Sequence, residues 1–157
     1  MSPYVAVVGA GVFDTETGAH AEEVGILLGQ AGAVVLCGGL TGVMESVCRG
    51  ARSTGGTTVG ILPGHDRNDA NEFVDVALAT GMGEMRNALI VRASDAVIAI
   101  GGEFGTLSEV AFALKIGRPV VGLDTWHLSK SGGTKDPIVR AESPADAVSA
   151  ALRLARR

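Results

Sequence analysis

The sequence predicts an α/β fold: an open, mainly parallel sheet of six to seven strands with helices on both faces. Three observations carry this. Short runs rich in Val, Ile and Ala alternate with helix-forming stretches along the whole chain. Most of these runs are continuously apolar, the pattern of strands buried on both faces of a parallel sheet. Most are also followed by a glycine-containing turn, which lets the backbone swing from strand into helix. Strand–helix alternation implies right-handed crossovers. A chain of 157 residues suits one domain, residues 1–157.

The first strand is Tyr4–Gly9, followed by the turn Gly9-Ala10-Gly11-Val12-Phe13-Asp14. A helix over Ala19–Gln30 places Val24, Leu27 and Leu28 on one side. The second strand, Ala33–Cys37, runs into Gly38-Gly39-Leu40-Thr41-Gly42 and a helix over Val43–Ser53. Strands over Thr57–Leu62 and Phe73–Leu78 flank the polar loop Pro63–Asn71. A helix over Gly83–Ala93 leads to the strand Asp95–Ile100, the turn Gly101–Thr106 and a helix over Thr106–Ile116. Pro119–Leu123 is the sixth strand. The long polar loop Asp124–Asp136 separates it from a weaker seventh, Ile138–Ala141. The last helix has the clearest start, with Ser143 as N-cap, Pro144 at the first helical position and Asp146 in the first turn. Arg153, Arg156 and Arg157 place cations at its negative end, which explains them without nucleic acid.

Composition excludes several classes of function. With 46% hydrophobic and 19% charged residues the chain is too apolar to be disordered. Aromatics at 4% argue against a base-stacking groove, and a net charge of −4 against a nucleic-acid binder. Cys37 and Cys48 form no C-x-x-C and read as small buried residues in a reducing compartment. Met1-Ser2-Pro3-Tyr4 has no basic leader region, and no apolar run approaches the roughly 18 residues that would span a membrane. The expectation is a soluble cytoplasmic protein with no membrane partner. His20, His65 and His127 are scattered without ligand spacing, so no metal site is expected.

In an open parallel sheet, ligands bind beyond the carboxyl ends of the strands, where strand order reverses. Two Gly-Gly turns with nearby threonines point there. Gly38, Gly39, Thr41 and Gly42 make one; Gly101, Gly102, Gly105 and Thr106 make the other. Together they are candidates to hold a phosphate, because glycine brings amide N–H groups close to an anion and a helix N-terminus adds unpaired donors. Short strand-to-helix turns also need glycine for geometry alone. The common nucleotide motifs fail: Asp14 breaks G-x-G-x-x-G, no acidic residue closes the second strand, and neither a P-loop nor a G-x-S-x-G elbow is present. Arg86 and Glu109 each fall in the first turn of a helix. The first of these helices runs back over roughly 16 Å and the following strand returns, so both side chains reach the glycine edge. Arginine grips phosphate or carboxylate bidentately. A carboxylate can hold ribose hydroxyls, act as a base or steady an oxocarbenium ion. Ordinary solvated contacts would account for the pair equally well.

The segments Gly83-Glu84-Met85-Arg86-Asn87-Ala88, Ser94–Ile100 and Gly101-Gly102-Glu103-Phe104-Gly105-Thr106-Leu107-Ser108-Glu109 resemble the Lonely Guy family of cytokinin-activating phosphoribohydrolases, long mislabelled lysine decarboxylases. They resemble still more the related molybdenum cofactor carrier proteins and their bacterial relatives. The resemblance runs from Val5 to about Trp126. It implies a Rossmann-like domain, assembly as a homodimer or higher homo-oligomer, and a phosphate bound by the Gly-Gly-x-x-Gly-Thr turn. It also implies that Arg86 and Glu109 are catalytic, cleaving the N-glycosidic bond of a nucleoside 5′-monophosphate with no cofactor required.

The sequence departs from the hydrolase pattern, and Gly101 with the altered first motif pulls toward the carriers. A carboxylate at Glu103 would repel a phosphate unless it points to solvent. Gly101 stands where the hydrolases have Pro, and Glu103 where they have Gly. Cys37 replaces the leading Gly of the first motif, and Glu45 the Gly after Met44. Two functions therefore stand side by side: a phosphoribohydrolase, and a non-catalytic binding protein with molybdenum cofactor as ligand. Lysine decarboxylation is excluded, since Lys115, Lys130 and Lys135 lie in no pyridoxal phosphate context. The related DNA-processing domains are disfavoured by the net charge of −4.

Overall fold

Seven parallel strands form one sheet in the order β4-β3-β2-β1-β5-β6-β7. They are β1 (Tyr4–Gly9), β2 (Val34–Cys37), β3 (Thr57–Leu62), β4 (Val76–Ala79), β5 (Ala96–Ile100), β6 (Val120–Leu123) and β7 (Val139–Ala141). The computed structural model describes residues 1–133 and 135–155. The chain builds outward from β1 to β4, then returns to the other side of β1 for β5 to β7. Strand order therefore reverses between β1 and β5, where Gly9 is in register with Ile100.

Five helices cover the sheet: α1 (Thr15–Gln30), α2 (Val43–Ser53), α3 (Asn87–Ala93), α4 (Phe104–Lys115) and α5 (Pro144–Ala155). Alternate residues of each strand face opposite ways, so a continuous apolar run supplies two cores at once. Val5 and Val7 of β1, with Val35 and Ile98, pack under Val24 and Leu28 of α1, Val47 of α2 and Ala147 of α5. Ala6 and Val8, with Leu36, Val97 and Ala99, pack under Ile90 and Val91 of α3 and Val110 and Ala113 of α4. Cys37 and Cys48 lie in the first core, fully buried, with their sulfurs 3.4 Å apart and neither oxidised.

Most strand ends shift by a single residue, and four elements differ from the sequence reading by more than that. α1 begins at Thr15 instead of Ala19, because the Asp14 carboxylate caps it by accepting from the Thr17 amide at 2.8 Å. The residue that breaks the nucleotide motif is thus a helix cap. The stretch 83–93 is a 3-10 turn, Gly83–Arg86, followed by the seven-residue α3. β4 starts at Val76 instead of Phe73 and is a largely exposed edge. Its predecessor residues are held in a turn by Asn71 and Asp75, which bond to the Phe73 amide and to Thr58. α4 starts at Phe104, ahead of Thr106. The last helix starts as read, with the Asp146 amide donating to the Ser143 hydroxyl at 3.1 Å. Arg153 lies in its last turn, while Arg156 and Arg157 lie outside the described residues. Among the described residues no helix is long and apolar enough to cross a membrane.

Candidate active site

A cavity of about 410 Å³ opens at the carboxyl ends of β1 and β5, where strand order reverses. Arg86, at the end of the 3-10 turn, enters from one side, and Thr106 and Glu109 from the first turns of α4 on the other. Their side chains meet because α3, β5 and α4 fold back on one another, so residues remote in sequence share one edge. Gly38 and Gly105 complete the part of the lining that was expected from the sequence.

The electrostatics of this cavity are unusual for the molecule. Arg86 and Glu109 are each 8% exposed, and they are the only buried charged side chains among the described residues. The Arg86 guanidinium donates to the Gly38 carbonyl at 3.4 Å and to the Asn87 side-chain oxygen. Its Nε is buried without a hydrogen-bond partner. Burial lowers the Arg86 pKa, an effect that the nearby Glu109 opposes. Burial raises the Glu109 pKa to about 7, and the field of Arg86 only partly offsets it. No direct ion pair joins the two among the described residues. Glu109 is therefore poised to exchange a proton near neutral pH, the property expected of a general acid or base.

Five of the residues singled out from the sequence stand behind this lining. Gly39, Gly42, Gly101 and Gly102 have φ between 55° and 99°, so they make the turns that only glycine adopts without strain. The Gly39 amide donates to the Cys37 sulfur at 3.3 Å, and the Gly101 amide to the Leu123 carbonyl at 3.1 Å. The Thr41 hydroxyl donates to the Gly11 carbonyl at 3.4 Å. These groups are engaged within the fold. The amides at the start of α4 are different: the first residues of a helix have no intrahelical acceptor. The first bond inside α4 is from the Leu107 amide to the Glu103 carbonyl.

Sequence reasoning missed part of the wall. The β1 turn from Gly9 to Val12 lines the cavity, as do Met44 and Asn87, and Glu103, singled out in the sequence as a departure from the hydrolase pattern, lines it too. The β1 turn was visible as a glycine turn after a strand, and Asn87 directly follows Arg86. No local pattern marks Met44. Phe104 is 74% exposed beside the cavity, its ring 5.5 Å from that of Trp126, whose indole donates to the Glu103 carbonyl at 3.2 Å.

Known proteins show the same architecture. The molybdenum cofactor binding protein from Rippkaea orientalis superposes with a TM-score of 0.88 at 32% identity, covering 98% of each chain. An uncharacterized protein from Archaeoglobus fulgidus is 48% identical over 119 residues, 76% of this chain and 78% of its own. The cytokinin riboside 5′-monophosphate phosphoribohydrolase from Mycobacterium tuberculosis is 33% identical over 115 residues, 68% of this chain and 62% of its own. Residues 2–148 match the SLOG cluster4 family. With its open parallel sheet and the family profile spanning nearly its whole length, the chain belongs to the SLOG cluster4 family.

Proposed function

We propose that this protein binds a phosphorylated, nucleotide-like small molecule at the carboxyl edge of its sheet and hydrolyses the N-glycosidic bond of a nucleoside 5′-monophosphate. The observation that carries this is Glu109, buried, with its pKa raised to about 7, facing the same cavity as the buried Arg86. The 5′-phosphate lies at the start of α4, against the Gly105 and Thr106 amides, with the positive helix end behind them. Gly38, Gly39, Thr41, Gly42, Gly101 and Gly102 shape the two turns that enclose it. Glu109, ionised, accepts from the ribose hydroxyls and steadies positive charge as it develops at C1′. Arg86 positions the substrate or the leaving base. The C1′–N bond breaks with its electron pair going to the base, which takes up a proton. Water adds to C1′ and loses a proton, giving free base and ribose 5-phosphate. Similarity to the Mycobacterium tuberculosis phosphoribohydrolase supports this reading. No step requires a cofactor.

A second reading, a molybdenum cofactor binding protein, is favoured by Gly101 and the altered first motif with Cys37 and Glu45, and by likeness to the Rippkaea orientalis protein. Arg86 and the amides at the start of α4 would hold the phosphate of the pterin. Neither a thiol nor an imidazole lines the cavity to add a protein ligand to the metal, which the pterin itself would carry. For either ligand we assign the protein to the cytoplasm, as its two free thiols suit a reducing compartment. We also assign a homo-oligomer built on the α3–α4 face, where Met85, Leu89 and Phe104 are exposed beside the cavity.

The test is chromatographic. Purified protein is incubated with AMP and the other nucleoside monophosphates, and free base is measured, with Glu109→Ala as control. Base release that disappears in a folded Glu109→Ala variant supports the hydrolase. Release that persists in the variant overturns the role of Glu109. No release from folded wild-type protein transfers the function to the binding reading, which thermal stabilisation by molybdenum cofactor then checks.

A further inference from the structure

The turn that leads into α4 is built on two glycines. Gly101 and Gly102 have φ of 55° and 99°. Glycine brings more backbone freedom than any other residue, so two in succession make a hinge unless something outside holds them. Two side chains do so. The Thr125 hydroxyl donates to the Gly101 carbonyl, and the Trp126 indole to the Glu103 carbonyl at 3.2 Å. Both come from the segment that follows β6, 24 and 23 residues further along the chain. The Trp126 ring also lies 5.5 Å from that of Phe104, the first residue of α4.

These contacts fix more than two oxygens. In a planar trans peptide, the carbonyl and the next N–H point opposite ways. Holding the Gly101 and Glu103 carbonyls against Thr125 and Trp126 therefore turns the Gly102 and Phe104 amides away from that segment. Among the described residues, neither amide donates to a carbonyl elsewhere in the fold. The Glu103 carbonyl accepts from the Leu107 amide as well, at 3.0 Å. One atom thus ends the turn and begins the helix that brings Gly105 and Thr106 to the cavity.

Thr125 and Trp126 are themselves held. The Arg140 guanidinium, from β7, donates to the Thr125 carbonyl at 3.5 Å, to the Trp126 carbonyl and to the Asp136 carboxylate. Gly122 of β6 leaves room for this: a Cβ there would lie 2.8 Å from the Thr125 methyl group and 3.0 Å from the Arg140 guanidinium. Asp124, directly before Thr125, has φ of 50° and is the one residue other than glycine with positive φ among the described residues. Such a conformation is uncommon and persists where surrounding contacts over-determine it.

We propose that Thr125 and Trp126 are positioning residues that clip the Gly101–Glu103 turn into its phosphate-binding shape, with Arg140 locking the clip from behind. This rests on the reading that a phosphate docks at the start of α4. None of the three residues lines the cavity, so each acts through the turn and not on the ligand.

The experiment compares AMP with adenosine by calorimetry on the full chain, since the two differ only in the phosphate. Wild-type protein is expected to bind AMP at least about tenfold more tightly, through charge-assisted hydrogen bonds to the phosphate. Thr125→Val removes the hydroxyl. Trp126→Phe removes the indole N–H and keeps a ring beside Phe104. In the Thr125→Val/Trp126→Phe variant AMP affinity is expected to fall about tenfold, each lost hydrogen bond contributing roughly threefold to fivefold, with adenosine affinity nearly unchanged. Thr125→Ser keeps the hydroxyl and is expected to bind AMP as wild type does. Arg140→Lys keeps the charge without the fork and is expected to lose AMP affinity by a few fold. An unchanged preference for AMP in the folded double variant would overturn the clip. So would an equal loss for AMP and adenosine, which a merely structural contact would produce, or equal losses in Thr125→Ser and Thr125→Val. Unchanged AMP affinity in Arg140→Lys would overturn the part given to Arg140. Wild-type protein that binds both ligands equally would overturn the phosphate reading and the clip with it. If circular dichroism finds the double variant unfolded, Trp126→Phe alone replaces it with the same criteria.

Discussion

The two faces of the sheet are built to different ends. On one face α1, α2 and α5 pack so tightly that glycines stand where the helices touch. A Cβ at Gly50 of α2 would lie 2.0 Å from the Glu22 carbonyl oxygen of α1. Apart from Ser46 and Thr58, its buried side chains are aliphatic or thiol. On the other face α3 is two turns long, Met85 and Phe104 are more than 70% exposed, and two charged side chains are buried at the cavity. Tight apolar packing stabilises the first face. The second holds two buried charges that cost free energy to desolvate. Stability and chemistry are therefore divided across one sheet, and substitutions can separate them.

The largest expected effect is on pH-dependent stability, and it belongs to the second face. An unfolded Glu109 ionises near pH 4.5, whereas the folded one holds its proton to about pH 7. Between those values the folded state binds more protons than the unfolded state, so wild-type stability falls as pH rises through this window and then levels off. Glu109→Gln is neutral throughout. It is expected to be more stable than wild type above pH 7, by an amount of order 3 kcal/mol at most, with the gain vanishing below pH 4.5. Denaturant titrations from pH 4 to pH 8 check this. Parallel stability curves for the two proteins would remove the case for a shifted Glu109.

A matched pair of glycine substitutions tests the division itself. Gly50→Ala forces α1 and α2 apart and is expected to cost about 2 kcal/mol, measured by urea unfolding. At Gly105 a Cβ would meet nothing within 4 Å, so Gly105→Ala is expected to leave stability unchanged or slightly raised. Its methyl group would instead narrow the cavity and weaken binding of AMP, read by calorimetry. Equal losses of stability at both positions would show that the faces are not distinct.

The smallest expected effect concerns Glu103, which lines the cavity at the start of α4. Removing a carboxylate near the proposed phosphate position should strengthen nucleotide binding. Because Glu103 is exposed and screened, Glu103→Gly is expected to improve AMP affinity only severalfold at low salt, and less at high salt. An unchanged affinity at low salt would place Glu103 outside the phosphate's field.

Much of the candidate site was legible because its parts are local. Glycine turns after strands, Arg86 and Glu109 each near a helix start, and the capping residues of α5 all declare themselves within a few positions. The misread elements are those where a side chain competes with propensity. Asp14 reads as a motif-breaker until its carboxylate is seen capping α1. Phe73 reads as strand until Asn71 and Asp75 are seen holding that segment in a turn.

Alternation of apolar runs with helical stretches was sufficient by itself to determine a parallel α/β sheet, because the period of burial is written into each segment. Positions of the glycine turns and of Arg86 and Glu109 at the carboxyl edge followed from element lengths. Only the tertiary structure decided that strand order reverses beside β1, which brings the Gly9–Val12 turn into the cavity wall. It alone decided that Glu109 is buried opposite a buried arginine, and so titrates near neutrality. It alone placed Thr125 and Trp126, from a distant segment, against the Gly101–Glu103 turn. Those outcomes depend on which segments become neighbours in space and on how much water they exclude, and neither quantity is carried by any one stretch of chain.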